Sequence, residues 1–271
     1  MRHSRTFSPA SFSARLGLCL ALGCASVAPI VPVLPVDHAT TVEQLAIHSD
    51  FQLPPQHRLL EDLRLERGEV YGKLNLPPSD EPIYVYLFEN EGKYQSFLKR
   101  NFPNFPTRRA FFVESDTRLA VYAHWGDRVA EDLRHEVAHG YIHAVAPTVP
   151  LWLDEGLAEY FEAPRVQSGF NRPHVELLIA ELHENTWRPD LFRLEQLSSA
   201  GEMKQRDYAE AWAWAHWLLE TTPKRRDLLQ GQILLIHQGV STQPLSQVVR
   251  QAEPQAEHVL TQHIFEMSRS L

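Results

Sequence analysis

From Gln56 onward the spacing of apolar and polar positions changes once along the chain. In the first half, His57 to Glu66 carries a helical spacing, Ile83 to Phe88 (I-Y-V-Y-L-F) reads as a strand, and Glu91 to Asn101 reads as a helix ended by Asn-Phe-Pro. Ala110 to Val113 and Arg118 to His124 predict two strands joined by the turn-forming residues E-S-D-T. After Gly126 the period is helical almost throughout: Arg128–Val145, Leu153–Phe161, His174–Glu184, Lys204–Glu220, Arg226–His237 and Pro254–Ser268. The expectation is an α+β chain, with a sheet-containing lobe over 56–126 and a helical lobe over 127–271. No internal repeat interrupts it.

Ahead of this domain the pattern differs. Arg2, Arg5 and Arg15 flank an apolar run of small residues from Leu16 to Ala28, the layout of a secretory signal over 1–28 and too short for a membrane span. This implies export, to the periplasm or cell envelope. The stretch A-L-G-C around Cys24 is similar to a lipoprotein cleavage box, so membrane attachment through a lipid on Cys24 and an ordinary signal-peptidase cut both stay open. Residues 29–55 are punctuated by proline and read as a linker holding one short helix near Val42–Ser49.

Both cysteines, Cys19 and Cys24, fall within the signal segment, so the domain is expected to contain neither a disulfide nor a thiolate metal ligand. Removing the three basic residues of 1–28 from the chain's 26 leaves 23 against 34 acidic groups, a formal charge of −11. That balance argues against a nucleic-acid partner.

The chemistry concentrates in the first helix after Gly126. Asp127 is the expected N-cap, and H-E-V-A-H at 135–139 places two histidines one turn apart on a single face, where both imidazoles can reach one ion. Val129, Leu133, Val137, Gly140 and Ala144 form an apolar stripe on the opposite side. With 14 histidines in the chain, such a spacing arises by chance on the order of once in twenty comparable sequences, so a second signal is required. L-W-L-D-E-G-L-A-E-Y-F-E at 151–162 supplies it. Pro147 and Pro150 end the first helix and let the second fold back beside it, with Glu155 and Glu159 sharing one face.

H-E-V-A-H followed by W-L-D-E-G-L-A-E-Y-F-E resembles the gluzincin metallopeptidases, in particular their peptidase MA-like group, and is more distantly similar to the thermolysin and M1 aminopeptidase families. The resemblance covers about residues 120–220. It implies a zincin-like fold and one Zn²⁺ held by His135, His139 and Glu155, with Glu136 as the general base that takes a proton from a metal-activated water. It further implies Glu159 as an acid orienting a ligand histidine, with Asp154 standing where relatives carry Asn. Tyr208 is either the hydroxyl that stabilises the oxyanion, as in M1-type relatives, or a core aromatic in line with Trp212, Ala215 and Leu219. The strand Ala120, Val121, Tyr122, Ala123 sits where relatives pair with an extended peptide.

Two other ligand sets are excluded. His143 lies ~12 Å along the helix axis from His135, and Ile142 and Val145 stand where the metzincin pattern demands Gly and His. The G-x-M-E-N element of M1 enzymes is absent, which argues against an aminopeptidase of that type. The functional expectation is a zinc-dependent peptidase, an endopeptidase acting on peptides or proteins; the rivals are an envelope binding module that retains zinc as structure and a zinc-dependent hydrolase of a non-peptide amide.

Overall fold

The computed structural model describes residues 33–271. The signal segment, the lipid site at Cys24 and residues 29–32 of the expected linker lie outside them. Among the described residues the chain forms a mixed α+β structure with one five-stranded sheet and ten helices.

The strands are β1 (His38–Val42), β2 (Leu45–Ser49), β3 (Ile83–Phe88), β4 (Ala110–Ser115) and β5 (Arg118–His124), in the spatial order β1-β2-β3-β5-β4. β2, β3 and β5 run parallel, and the two outer strands are antiparallel to their neighbours. Between the strands lie α1 (Arg58–Leu74), which links β2 to β3, and α2 (Glu91–Asn101), which leads from β3 toward β4.

Side-chain alternation gives the sheet two unlike faces. Leu45, Ile47, Ile83, Val85, Leu119, Val121 and Ala123 enter the main core, while Tyr86, Phe88, Phe111, Ala120 and Tyr122 build a separate aromatic cluster with Tyr94 and Phe97 of α2.

Part of the expected linker is sheet. Residues 38–49 form a two-strand hairpin rather than a helix near Val42–Ser49, turning through Glu43 and Gln44 with Glu43 at φ 51°. Val42, Leu45, Ala46 and Ser49 satisfy a helical period, but Leu45, Ile47 and Ser49 also alternate, and burial of those three against the core selects the strand.

The helices after the sheet are α3 (Val129–His143), α4 (Leu151–Phe161), α5 (Arg172–Glu184), α6 (Leu191–Leu194), α7 (Gln205–Glu220), α8 (Pro223–His237), α9 (Leu245–Ala252) and α10 (Ala256–Ser268). α7 is the axis of this half, with Ala209 to Leu219 buried throughout. α4 lies against it at Gly156, where a Cβ would stand 2.4 Å from the Ala211 carbonyl oxygen. α3 also packs tightly on the sheet, since a Cβ at Gly140 would meet the Ile83 side chain at 3.0 Å. These two close contacts, one with backbone and one with a side chain, help place α3 and α4 between the sheet and α7. Asp127 does not cap α3: Arg128 occupies the N-cap without a side-chain bond, and the Val129 N–H donates to the Gly126 carbonyl instead.

Candidate metal centre

The apolar stripe of α3 turns toward β3 and α1, which leaves its other side facing α4. There His135 Nε2 and His139 Nε2 lie 3.3 Å apart, and Glu155 Oε2 of α4 lies 3.6 Å from the first and 3.7 Å from the second. Tetrahedral zinc with bonds near 2.0–2.1 Å has ligand-to-ligand distances of about 3.3–3.4 Å. The donor triangle therefore has the dimensions that three ligands to one ion would need. Glu155 Oε2 is buried and has no hydrogen-bond partner among the described residues, a costly state for a carboxylate oxygen unless a cation meets it. Donor chemistry, spacing and the orphaned oxygen all fit a divalent metal.

The outer nitrogens of both histidines face carboxylates. His139 Nδ1 lies 2.9 Å from Asp154 Oδ1, and His135 Nδ1 lies 3.2 Å from Glu162 Oε2. The His135–Glu162 hydrogen bond would leave His135 Nε2 for a metal, while His139 Nδ1 and Asp154 Oδ1 meet as a close charge pair. Asp154 also meets His143 Nε2 at 3.0 Å, and His143 Nδ1 meets Glu114 Oε2 of β4 at 2.6 Å, a chain that moors the outer strand to α3.

Burial opposes charge on His135, but Glu155 and Glu162 outweigh it and hold its pKa well above the usual imidazole value. Burial would raise Asp154, yet His139 and His143 hold that carboxyl well below its usual range. His143 is pushed up to about 9: burial lowers it, and Asp154 and Glu114 override the burial. For Glu136 burial prevails, raising the carboxyl despite the two nearby imidazoles.

Sequence expectation and structure part at two places. Glu159 stands near His135 without a hydrogen bond to it. Its Oε2 accepts from His174 Nε2 at 2.7 Å, and the carboxylate hydrogen-bonded to His135 is Glu162, the C-cap of α4. Glu162 was legible in principle, because it closes the series Glu155, Glu159, Glu162 on one helix face. The other departure concerns Ala120, Val121, Tyr122 and Ala123. They lie in β5, whose two edges are taken by β3 and β4, so they offer no free backbone to a peptide. The hairpin through Asp116 and Thr117 carries the chain from the edge strand β4 one strand inward to β5, so the outer edge belongs to β4. Phe112 of β4 packs on His139 with ring centroids 6.0 Å apart.

Beside the donor triangle opens a cleft of about 450 Å³, lined by His135, Glu136, Glu159, Glu162, Arg108 and Tyr208 among others. Tyr208, at the start of α7, faces this cleft. The buried Asp207 before it holds the helix start, accepting from the Lys204 N–H at 2.7 Å and pairing with Arg193 at 2.8 Å. Arg108 was not singled out by sequence reasoning, since no motif or period covers the segment N-F-P-N-F-P-T-R-R that carries it.

Residues 129–232 are similar to a family described as "Protein of unknown function (DUF1570)". That stretch runs from the first turn of α3 into α8, so it contains all three donors, Glu136, the carboxylates behind them and Tyr208. The sheet, Arg108 and Phe112 precede it. No curated protein matches the chain. No helix among the described residues is long and apolar enough to cross a membrane.

Proposed function

We propose that the chain is a zinc-dependent peptidase of zincin-like architecture, most simply an endopeptidase, with the sheet half and the helical half as the two walls of its cleft. The observation that carries this reading is the triangle of His135, His139 and Glu155 donors, with the glutamate of the same motif, Glu136, buried beside it and lining an open cleft. A metal serving structure alone needs no such base.

His135, His139 and Glu155 would hold the ion, whose chemistry there is to polarise a carbonyl and acidify a water. Glu136 takes the proton from the attacking water and returns it to the departing amine, a role suited to a carboxyl raised by burial. Tyr208 donates its hydroxyl proton to the developing oxyanion. The outer edge of β4, moored through Glu114 and His143, is the strand along which an extended peptide would lie. The signal-like residues 1–28 support a place of action outside the cytoplasm, in the periplasm or envelope.

The deciding experiment measures zinc content and cleavage of a broad peptide library for the wild type and Glu136→Gln. One equivalent of zinc in both, with cleavage only by the wild type, is the expected result. Zinc bound by both with no cleavage by either would favour a binding module, and absence of zinc under saturating metal would overturn the proposal.

A further inference from the structure

Two arginines lead into β4, and their surroundings differ. Arg109 is held by Asp132 of α3 through contacts of 2.7–3.0 Å. Arg108 forms no ion pair among the described residues, although Glu136, Glu159 and Glu162 line the same cleft. Its one side-chain hydrogen bond goes to a neutral group, the Tyr208 hydroxyl, at 3.2 Å.

The direction of that bond is fixed by chemistry. A guanidinium has donors and no lone pair, so the phenolic oxygen must be the acceptor. Its own O–H is then free to donate elsewhere, and the open direction is the cleft beside His135 and Glu136. A guanidinium stays charged at any working pH and draws electron density from the oxygen it donates to, making the phenol a stronger donor. Glu155 and Glu136 lie near enough to favour the Arg108 charge. The arginine thus stands at the metal centre while acting on the tyrosine.

We propose that Arg108 is a positioning residue for Tyr208, occupying the hydroxyl's acceptor side so that its proton points to where the oxyanion of the reaction forms. The assignment rests on the peptidase reading above. It also joins the sheet half to the helical half, because Arg108 precedes β4 and Tyr208 begins α7. Catalytic competence then depends on those two elements keeping their spacing.

The test is a double-mutant cycle on zinc-loaded protein with Arg108→Met, Arg108→Lys, Tyr208→Phe and the Met/Phe double variant, zinc content and circular dichroism being checked for each. Arg108→Met is expected to lower kcat roughly tenfold to a hundredfold with little change in KM, a part of the effect of losing one oxyanion donor. Arg108→Lys should recover part of the loss. In the Tyr208→Phe background the same substitution should cost less than about twofold, because residues acting as a unit are not additive. Independent, additive losses, or a rise in KM at constant kcat, would mean that Arg108 meets the substrate itself and would overturn the proposal.

A second readout needs no turnover. Tyrosinate absorbance titrations, each taken as a difference from the matching Tyr208→Phe protein, isolate the Tyr208 phenol. Removing the Arg108 cation should move its midpoint up by about one unit, and an unchanged midpoint overturns the coupling. Should wild type with full zinc cleave no peptide, the peptidase reading falls, while this titration still decides whether the pair exists.

Discussion

The two sides of α1 and α3 treat buried charge in opposite ways. On the cleft side, the His135, His139, Asp154 and Glu162 side chains interlock, and the orphaned Glu155 oxygen sits between two imidazole nitrogens. On the core side, Glu66 of α1 is 1% exposed, and neither of its oxygens has a hydrogen-bond partner among the described residues. Both places bury ionisable groups, but only one surrounds them with complementary donors and an opening. Burial of an acid is therefore not in itself a sign of chemistry; convergence of donors at ligand spacing beside a cleft is.

The widest test of that contrast is Glu136→Gln, which removes the base but keeps the shape and the metal ligands. General base catalysis is worth roughly 10²–10⁴-fold, so cleavage should fall by about that factor while zinc content stays at one equivalent. A peptidase that kept its rate would place the base elsewhere.

Next in size is the packing that brings the two helices together. Gly156→Ala sets a methyl group 2.4 Å from a backbone carbonyl of α7, an atom that cannot move without shifting the helix. Overpacking of this kind costs about 1–3 kcal/mol, and the upper end is expected because the clash is with backbone. Thermal unfolding of the metal-free protein measures it. Zinc affinity should fall as well, because α4 carries Glu155. An unchanged melting temperature would show that α4 and α7 separate freely.

The carboxylates behind the histidines come third. Glu162→Gln should weaken zinc binding by roughly tenfold to a hundredfold, the usual range for a group orienting a ligand histidine. Glu159→Gln should weaken it less, since Glu159 is engaged by His174. Competition with a zinc chelator ranks the two, and the reverse order would restore Glu159 to the role its motif position implies.

The donor triangle was legible because its parts are local. His135 and His139 are one turn apart on one helix, and Glu155 lies on the next, so helical periodicity and one short connection almost determine the triangle. The sheet was less legible because its order depends on distant pairings. No local signal says that β5 lies inside β4, which is why Ala120 to Ala123 were expected at an edge and were found between two strands. The hairpin at 38–49 lacks the Asn-Gly or Gly-Gly turn that marks most two-residue hairpins, and Glu43 adopts the positive φ instead. α1 was expected to stop at Glu66, but it continues through Gly68 and Gly72 to a left-handed cap at Asn75. α9 was not anticipated at all.

The smallest expected effect returns to Glu66. Burial pushes its carboxyl well above the ordinary glutamate value, against the pull of Arg134 and, more weakly, of His135, while Asp62 and Glu69 add to the rise. A raised folded pKa means that between pH 4.5, the ordinary value, and the higher native one, the native state holds a proton that the unfolded chain has released. This contribution to stability is complete below the unfolded pKa and is lost as pH rises toward the folded one. Within that window the wild type should lose stability steadily as pH rises, relative to a side chain that does not titrate. Glu66→Gln is such a side chain of nearly equal shape. Denaturant unfolding of the two metal-free proteins at pH 4.5, 5.5 and 6.5, compared as a difference, cancels the histidines and the other acids common to both. The glutamine variant should gain on the wild type at each step upward in pH. A difference independent of pH would mean that Glu66 finds a charged partner in solution, and the contrast between the two sides of α1 and α3 would dissolve.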